Sequence, residues 1–358
     1  DEVVTDFAQS GTVEGNRATV LYRGGNGNRR LFVASTNPIT WTPTDDREYS
    51  SNASFGAGEE VSPGVFAVTT ATGTSTVLRS LTIRDLLPST TYYLAAFEYN
   101  VNNDGTVVFY QILPAVTAEI QTATAPASAP ANIVFSANTG STVRIDWDAV
   151  ADANRYLVVM KQGAAVDFVP TDLTTYPTST TFGIRDLGND NFAIANVSTT
   201  GTTVLGLDAA TVYHVAIFAF NGSSGPIYRT IPGRADFLSL ATPSMSGSDL
   251  RFQSIEGDRV TIRWTLGNGA RQIIVARQGQ AVAAAPQDGQ TYTDGPFGSG
   301  SELAPGEFVV WEGAATRFTA VVVENLLIGT NYHFAIFEFN VAPDGSTFYR
   351  RTDPARGE

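Results

Sequence analysis

Leu86-Leu87-Pro88-Ser89-Thr90-Thr91-Tyr92, running on to Phe97-Glu98-Tyr99-Asn100, is the stretch that decides the fold, because it recurs. A second copy keeps Leu207, Thr211 and Tyr213, then Phe218-Ala219-Phe220-Asn221. A third keeps Leu326, Thr330 and Tyr332, then Phe337-Glu338-Phe339-Asn340. The three tyrosines lie 121 and 119 residues apart, so one unit of about 120 residues is repeated and three units fill the 358-residue chain.

Working outward, other landmarks keep the same order. An early strand ends in an aromatic: Ala18-Thr19-Val20-Leu21-Tyr22, Val143-Arg144-Ile145-Asp146-Trp147 and Val260-Thr261-Ile262-Arg263-Trp264. The next strand opens with Arg29, Arg155 or Arg271. A Pro-x-Asp follows (Pro43 and Asp45, Pro170 and Asp172, Pro286 and Asp288). Then come a tyrosine (Tyr49, Tyr176, Tyr292) and a Phe-Gly (Phe55-Gly56, Phe182-Gly183, Phe297-Gly298). Each copy closes near Tyr110, Tyr228 or Tyr349. Short Val/Ile/Thr/Phe/Tyr runs between Gly/Asn/Asp/Pro clusters, with no helical periodicity, describe an all-β chain. The repeat places the domains at 1–122, 123–242 and 243–358.

The leucine–threonine–tyrosine string resembles the tyrosine corner of the fibronectin type III family, in which the phenol ties back to the backbone at a strand crossover. Copy 1 matches Leu-x-Pro-x-Thr-x-Tyr in full, whereas Ala209 and Ile328 replace the proline in the others. Tyr92, Tyr213 and Tyr332 are then structural tyrosines, and Tyr22, Trp147 and Trp264 are core aromatics. The resemblance covers essentially the whole chain and implies three tandem immunoglobulin-like β-sandwiches. Each unit is about 20–25 residues longer than the usual domain of that family, with the surplus between the third strand and the strand before the corner. This longer form resembles modules of large secreted and surface proteins of Bacteroidota, among them adhesins and multidomain enzymes.

Side chains alternate faces along a strand. Counted from the corner tyrosine, Tyr93, Phe97 and Tyr99 point away from the sandwich core, as do His214, Phe218 and Phe220 and His333, Phe337 and Phe339. Leaving such a row in water forgoes about 1.5–3 kcal/mol per ring. The insertion is therefore expected to fold over it, with Tyr49 and Phe55, Tyr176 and Phe182, and Tyr292 and Phe297 packing on the row. An aromatic platform for sugars, or a subunit interface, is the alternative use of that face.

The chain carries 35 acidic against 22 basic residues, a net charge of −13, which disfavours nucleic acid and anionic lipid as partners. No apolar run is long enough for a membrane helix. With no cysteine, disulfides and thiolate metal sites are excluded. The two histidines occupy the same slot of successive units, so they belong to different domains and cannot pair in one site. No catalytic residue is assigned and no cofactor is expected. Calcium is the one ion the sequence raises: Asp104 and Asp344, in the oxygen-rich turns Asn102-Asn103-Asp104-Gly105 and Pro343-Asp344-Gly345, are its candidates, although hairpin turns use the same residues without metal. Glu98 and Glu338, if they face inward near the strand end, are expected to bond the covering loop.

No signal-peptide pattern opens the sequence, and Asp1-Glu2-Val3-Val4 reads as the start of a segment of something longer. The short, proline-containing linkers Thr122–Pro130 and Ala241–Ser244 predict semi-rigid connections. The expected function is a non-catalytic spacer or adhesive segment of an extracellular or cell-surface protein, its partners being other modules of the same or neighbouring chains. Two rivals stand beside it: a polysaccharide-binding accessory module of a secreted enzyme, and a self-assembling extracellular filament subunit.

Overall fold

The computed structural model describes residues 3–73, 77–102, 108–112, 115–314, 320–342 and 345–358. Among them there is no helix. The first unit runs β1 (Thr5–Ser10), β2 (Arg17–Arg23), β3 (Arg29–Ser35), β4 (Glu60–Ser62), β5 (Val65–Thr72), β6 (Leu78–Arg84), β7 (Thr91–Val101), β8 (Val108–Tyr110) and β9 (Val116–Gln121). The second runs β10 (Val134–Ser136), β11 (Thr142–Asp146), β12 (Arg155–Gln162), β13 (Asn191–Val197), β14 (Gly201–Leu205), β15 (Val212–Asn221), β16 (Ile227–Tyr228) and β17 (Gly233–Leu238). The third runs β18 (Ser248–Glu256), β19 (Arg259–Thr265), β20 (Arg271–Gln278), β21 (Glu302–Ala304), β22 (Glu307–Ala314), β23 (Val321–Val323), β24 (Tyr332–Val341), β25 (Thr347–Tyr349) and β26 (Ala355–Gly357).

Each unit is one β-sandwich. A three-stranded sheet (β1-β2-β6, β10-β11-β14 or β18-β19-β23) faces a larger antiparallel sheet built around β3 and β7, β12 and β15, or β20 and β24. Among the described residues no sheet draws strands from two units. The long strands β7, β15 and β24 each take two partners on one edge, first β9, β17 or β26 and then the short hairpin strand β8, β16 or β25.

Burial explains the sequence texture. Strand β2 alternates between buried and half-buried, as a strand with one dry face must. Strands β3, β12 and β20 are buried nearly throughout, because they carry a core on each face. The inner cores gather Val20, Phe32, Tyr92 and Leu94; Val143, Trp147, Val158 and Tyr213; and Ile262, Ile274, Phe334 and Ile336. The outer cores gather Leu31, Val33, Phe97 and Tyr99; Leu157, Val159, Phe218 and Phe220; and Ile273, Val275, Phe337 and Phe339. One bulge recurs in the same place in each unit, between Phe32 and Val33, Val158 and Val159, and Ile274 and Val275 against the neighbouring strand. A device repeated three times in register belongs to the fold.

The clasped outer face as the candidate functional site

The tyrosine corners are formed in all three units. The backbone N–H groups of Leu87, Asp208 and Leu327 donate to the hydroxyls of Tyr92, Tyr213 and Tyr332 at 2.9, 2.9 and 3.0 Å. The donor lies five residues before the tyrosine, one before the proline position, so Ala209 and Ile328 do not disturb it. Burial pushes the Tyr213 phenol up to about 12, its bond from Asp208 only partly offsetting this.

The outer aromatics are dry. Phe97, Phe218 and Phe337 are 1%, 0% and 1% exposed, and Tyr99, Phe220 and Phe339 are equally enclosed. The inserted segment lies over them through one arrangement made three times. Tyr49, Tyr176 and Tyr292 accept N–H bonds from Thr44, Thr171 and Gln287, five residues earlier, at 3.0, 2.9 and 3.0 Å. Each insertion thus builds a second, smaller tyrosine corner. The Pro-x-Asp carboxylates of Asp45, Asp172 and Asp288 accept from the backbone N–H of Tyr110, Tyr228 and Tyr349 at 2.8, 2.8 and 2.7 Å. Those tyrosines donate their hydroxyls to the carbonyls of Arg47, Thr174 and Gln290. Their rings lie 4.7 Å from Tyr99, Phe220 and Phe339. The hairpin tyrosine is therefore gripped by the insertion on one side and sits against the row on the other. Burial raises the Tyr110, Tyr228 and Tyr349 phenols, Tyr349 to about 12.

Trp41 and Phe168 complete this second core in units 1 and 2, edge-on to Tyr49 and Phe97 and to Tyr176 and Phe218. Unit 3 has Ala284 in that slot. The sequence reading missed Trp41 and Phe168, and it noted Tyr110, Tyr228 and Tyr349 only as landmarks. The available signals were the position of Trp41 and Phe168 two residues before the Pro-x-Asp proline, and the return of a tyrosine soon after each string ending in Asn, at a spacing that varies between units.

Four expectations need correction. Phe55, Phe182 and Phe297 do not lie on the outer row. Beyond its tyrosine the insertion crosses the sheet edge, and Phe55, Phe182 and Phe297 donate their backbone N–H to Arg84, Leu205 and Glu324. Their rings turn inward to meet Tyr92, Tyr213 and Tyr332 at 4.9 Å each. Tyr93, His214 and His333 share the outward face but are only half-buried, because the clasp closes over the far end of the strand and leaves this end open. Trp264 is half-buried, unlike Tyr22 and Trp147. In unit 2 Tyr156 packs on Trp147, but unit 3 has Gln272 there, and Trp264 rests on Trp311 instead.

The fourth correction concerns Glu98 and Glu338, which do face inward but do not bind the covering loop. They hold the turn between the second and third strands. Glu98 accepts from Gly25 N–H and from Arg30, with which it forms a fully buried ion pair at 2.8 Å. Glu338 accepts from Gly267, Gly269 and Gln272, and burial raises its carboxyl above the ordinary range in spite of those bonds. Unit 2 solves the same problem without charge: Val150 N–H donates to the Tyr156 hydroxyl at 2.8 Å.

The phenylalanine and tyrosine end of this row, Phe97 and Tyr99, Phe218 and Phe220, and Phe337 and Phe339, offers no aromatic platform for a sugar, since those rings are buried. Among the described residues no group of three or more His, Cys, Asp or Glu side chains gathers, and no helix is long and apolar enough to cross a membrane. The calcium candidates Asp104 and Asp344 lie outside the described residues.

Successive units touch through polar contacts. Glu14 of unit 1 inserts its carboxylate into the turn 223–225 of unit 2. It accepts the backbone N–H of Ser223, Ser224 and Gly225 and the Ser223 hydroxyl at 2.7–3.0 Å. Burial alone would raise its pKa, but these four donors outweigh it and hold the carboxyl below its ordinary value. At the next junction the Asn340 amide donates to the carbonyls of Thr139 and Ala241. Asn221 does the same to Thr124 of the first linker.

No family model matches the sequence, and no curated protein matches it. Among solved structures it is similar to the chicken CNTN1 FN1-FN3 domains, at 13% identity over 100% of both chains with a TM-score of 0.23. It is also similar to a two-domain fibronectin type III segment of chicken tenascin, at 16% identity over 64% of this chain and 98% of that one with a TM-score of 0.30.

Proposed function

We propose that this chain is a non-catalytic structural segment of an extracellular surface protein or fibre, its modules serving as stiff spacers. The observation that carries the reading is the seating of Glu14 in the turn 223–225, backed by the Asn221 and Asn340 amides on the linker carbonyls of Thr124 and Ala241. A spacer must pass orientation from one module to the next, and short linkers alone leave that to chance. The clasp adds to each module a second apolar core that is local in space but spans the insertion and the last hairpin. Deforming the module then means breaking two cores rather than one. The acidic surface suits a soluble rod that repels its copies.

Residual dipolar couplings measured on modules 1 and 2 in the intact chain test this. One alignment tensor fitting both modules is expected. Tensors that differ in magnitude and direction would mean freely pivoting beads and would overturn the spacer reading.

A further inference from the structure

Two shallow cavities occupy the same place in modules 2 and 3, and their walls match residue by residue. One, of about 220 Å³, is lined by Ala165, His214, Arg234 and Asp236. The other, of about 250 Å³, is lined by Ala281, His333, Arg356 and Glu358. In each, the histidine stands on the long central strand. Asp236 is its cross-strand partner in module 2, and Glu358 bonds His333 Nδ1 at 3.0 Å in module 3. Each arginine is pinned by one guanidinium N–H to the covering segment, Arg234 to the Val166 carbonyl at 2.8 Å and Arg356 to the Val282 carbonyl at 2.7 Å. The fold does not need this set, since module 1 carries Tyr93, Thr117 and Glu119 in the same register.

We infer that these two cavities are equivalent subsites for a neutral hexose unit of a polysaccharide. The charge balance selects a neutral ligand. The cations on the adjoining strand are already paired, Lys161 with Asp167 at 2.9 Å and Arg277 with Glu307 at 2.7 Å. That leaves one guanidinium and one carboxylate per cavity. A guanidinium with unused N–H donors beside a carboxylate acceptor matches vicinal hydroxyls, each of which both donates and accepts. The exposed methyl groups of Ala165 and Ala281 supply the apolar contact for the C–H face of the ring. The cavities are smaller than those that enclose drug-sized molecules, which fits one ring of a longer chain. Two such subsites on one polypeptide let weak individual contacts add by linkage.

His214 and His333 are the only histidines in the chain, so their imidazole Cε1–H resonances report on the cavities without interference. The probes are cello-oligosaccharides and malto-oligosaccharides, with oligogalacturonate as the anionic arm, each titrated to millimolar concentration. Both resonances should move with a neutral oligosaccharide. The double variant R234A/R356A, with its circular dichroism unchanged, should weaken the apparent affinity at least about tenfold, the loss of one good contact per site. No movement with either neutral series would overturn the inference. So would movement that persists in the double variant, or movement with oligogalacturonate alone.

Discussion

Asp172 Oδ1 lies 2.8 Å from the backbone nitrogen of Tyr228, a bond that spans 56 residues and closes the insertion onto the last hairpin. The same bond joins Asp45 to Tyr110 and Asp288 to Tyr349. Removing it leaves a half-buried N–H without a partner, which costs about 1–3 kcal/mol. Asp172→Ala should therefore lower the urea midpoint of module 2 by that equivalent, read from Tyr fluorescence. Asp172→Asn keeps an acceptor oxygen and should lose clearly less.

High pH attacks the same clasp. The folded state raises the Tyr349 phenol from 10 to about 12 and raises Tyr110 and Tyr228 as well, burial being the main cause in each. A raised pKa on an acid means that folding favours the protonated form. The associated stability is complete below pH 10 and is lost as the pH climbs from 10 through about 12. Tyrosinate absorbance and far-ultraviolet circular dichroism should change together in that window. Ionisation of all tyrosines at the ordinary value with the fold intact would contradict the clasp.

Acid acts on the first junction instead. The carboxyl of Glu14 is held below its ordinary 4.5, so the contact is fully present above 4.5 and weakens as the pH falls through the lower folded value. Glu14→Ala removes it at neutral pH. Limited proteolysis should then cut the linker 123–130 faster, while the melting of the separate modules stays within about 0.5 kcal/mol of wild type.

Ala210 sits at φ 53° three residues before the corner tyrosine, in the slot that Gly329 fills at φ 73° in module 3. A left-handed backbone costs a residue with a Cβ about 1–2 kcal/mol. Ala210→Gly should raise the stability of module 2, offset in part by the added freedom of the unfolded chain. Calorimetry on the intact chain should show one of the transitions shifting upward.

Repetition made the fold legible. Any position that must be dry, bent or bonded shows itself by returning after about 120 residues, which is why the strand order and the outward row could be read from side-chain types, while the tyrosine corners followed from the family resemblance of the repeated string. Parity along the strand sufficed to separate Tyr92 from Phe97, because strand geometry is local. The route of the insertion was not legible. Tyr49 and Phe55 lie six residues apart and are equally apolar, yet one caps the outer core and the other plugs the inner one. Only the crossing of the sheet edge between them separates these roles, and that crossing is fixed by backbone pairing with a strand some thirty residues later.

The sequence by itself thus determined an all-β chain of three repeated units, with an aromatic row that had to be covered, because hydrophobic periodicity is written residue by residue; that each unit is a sandwich followed from the family resemblance. Tertiary structure alone decided which side chains do the covering and where the row stays open. It also decided that Glu98 pairs with Arg30 rather than with the insertion. These are bonds between segments dozens of residues apart, and their partners are chosen by packing that no local pattern encodes.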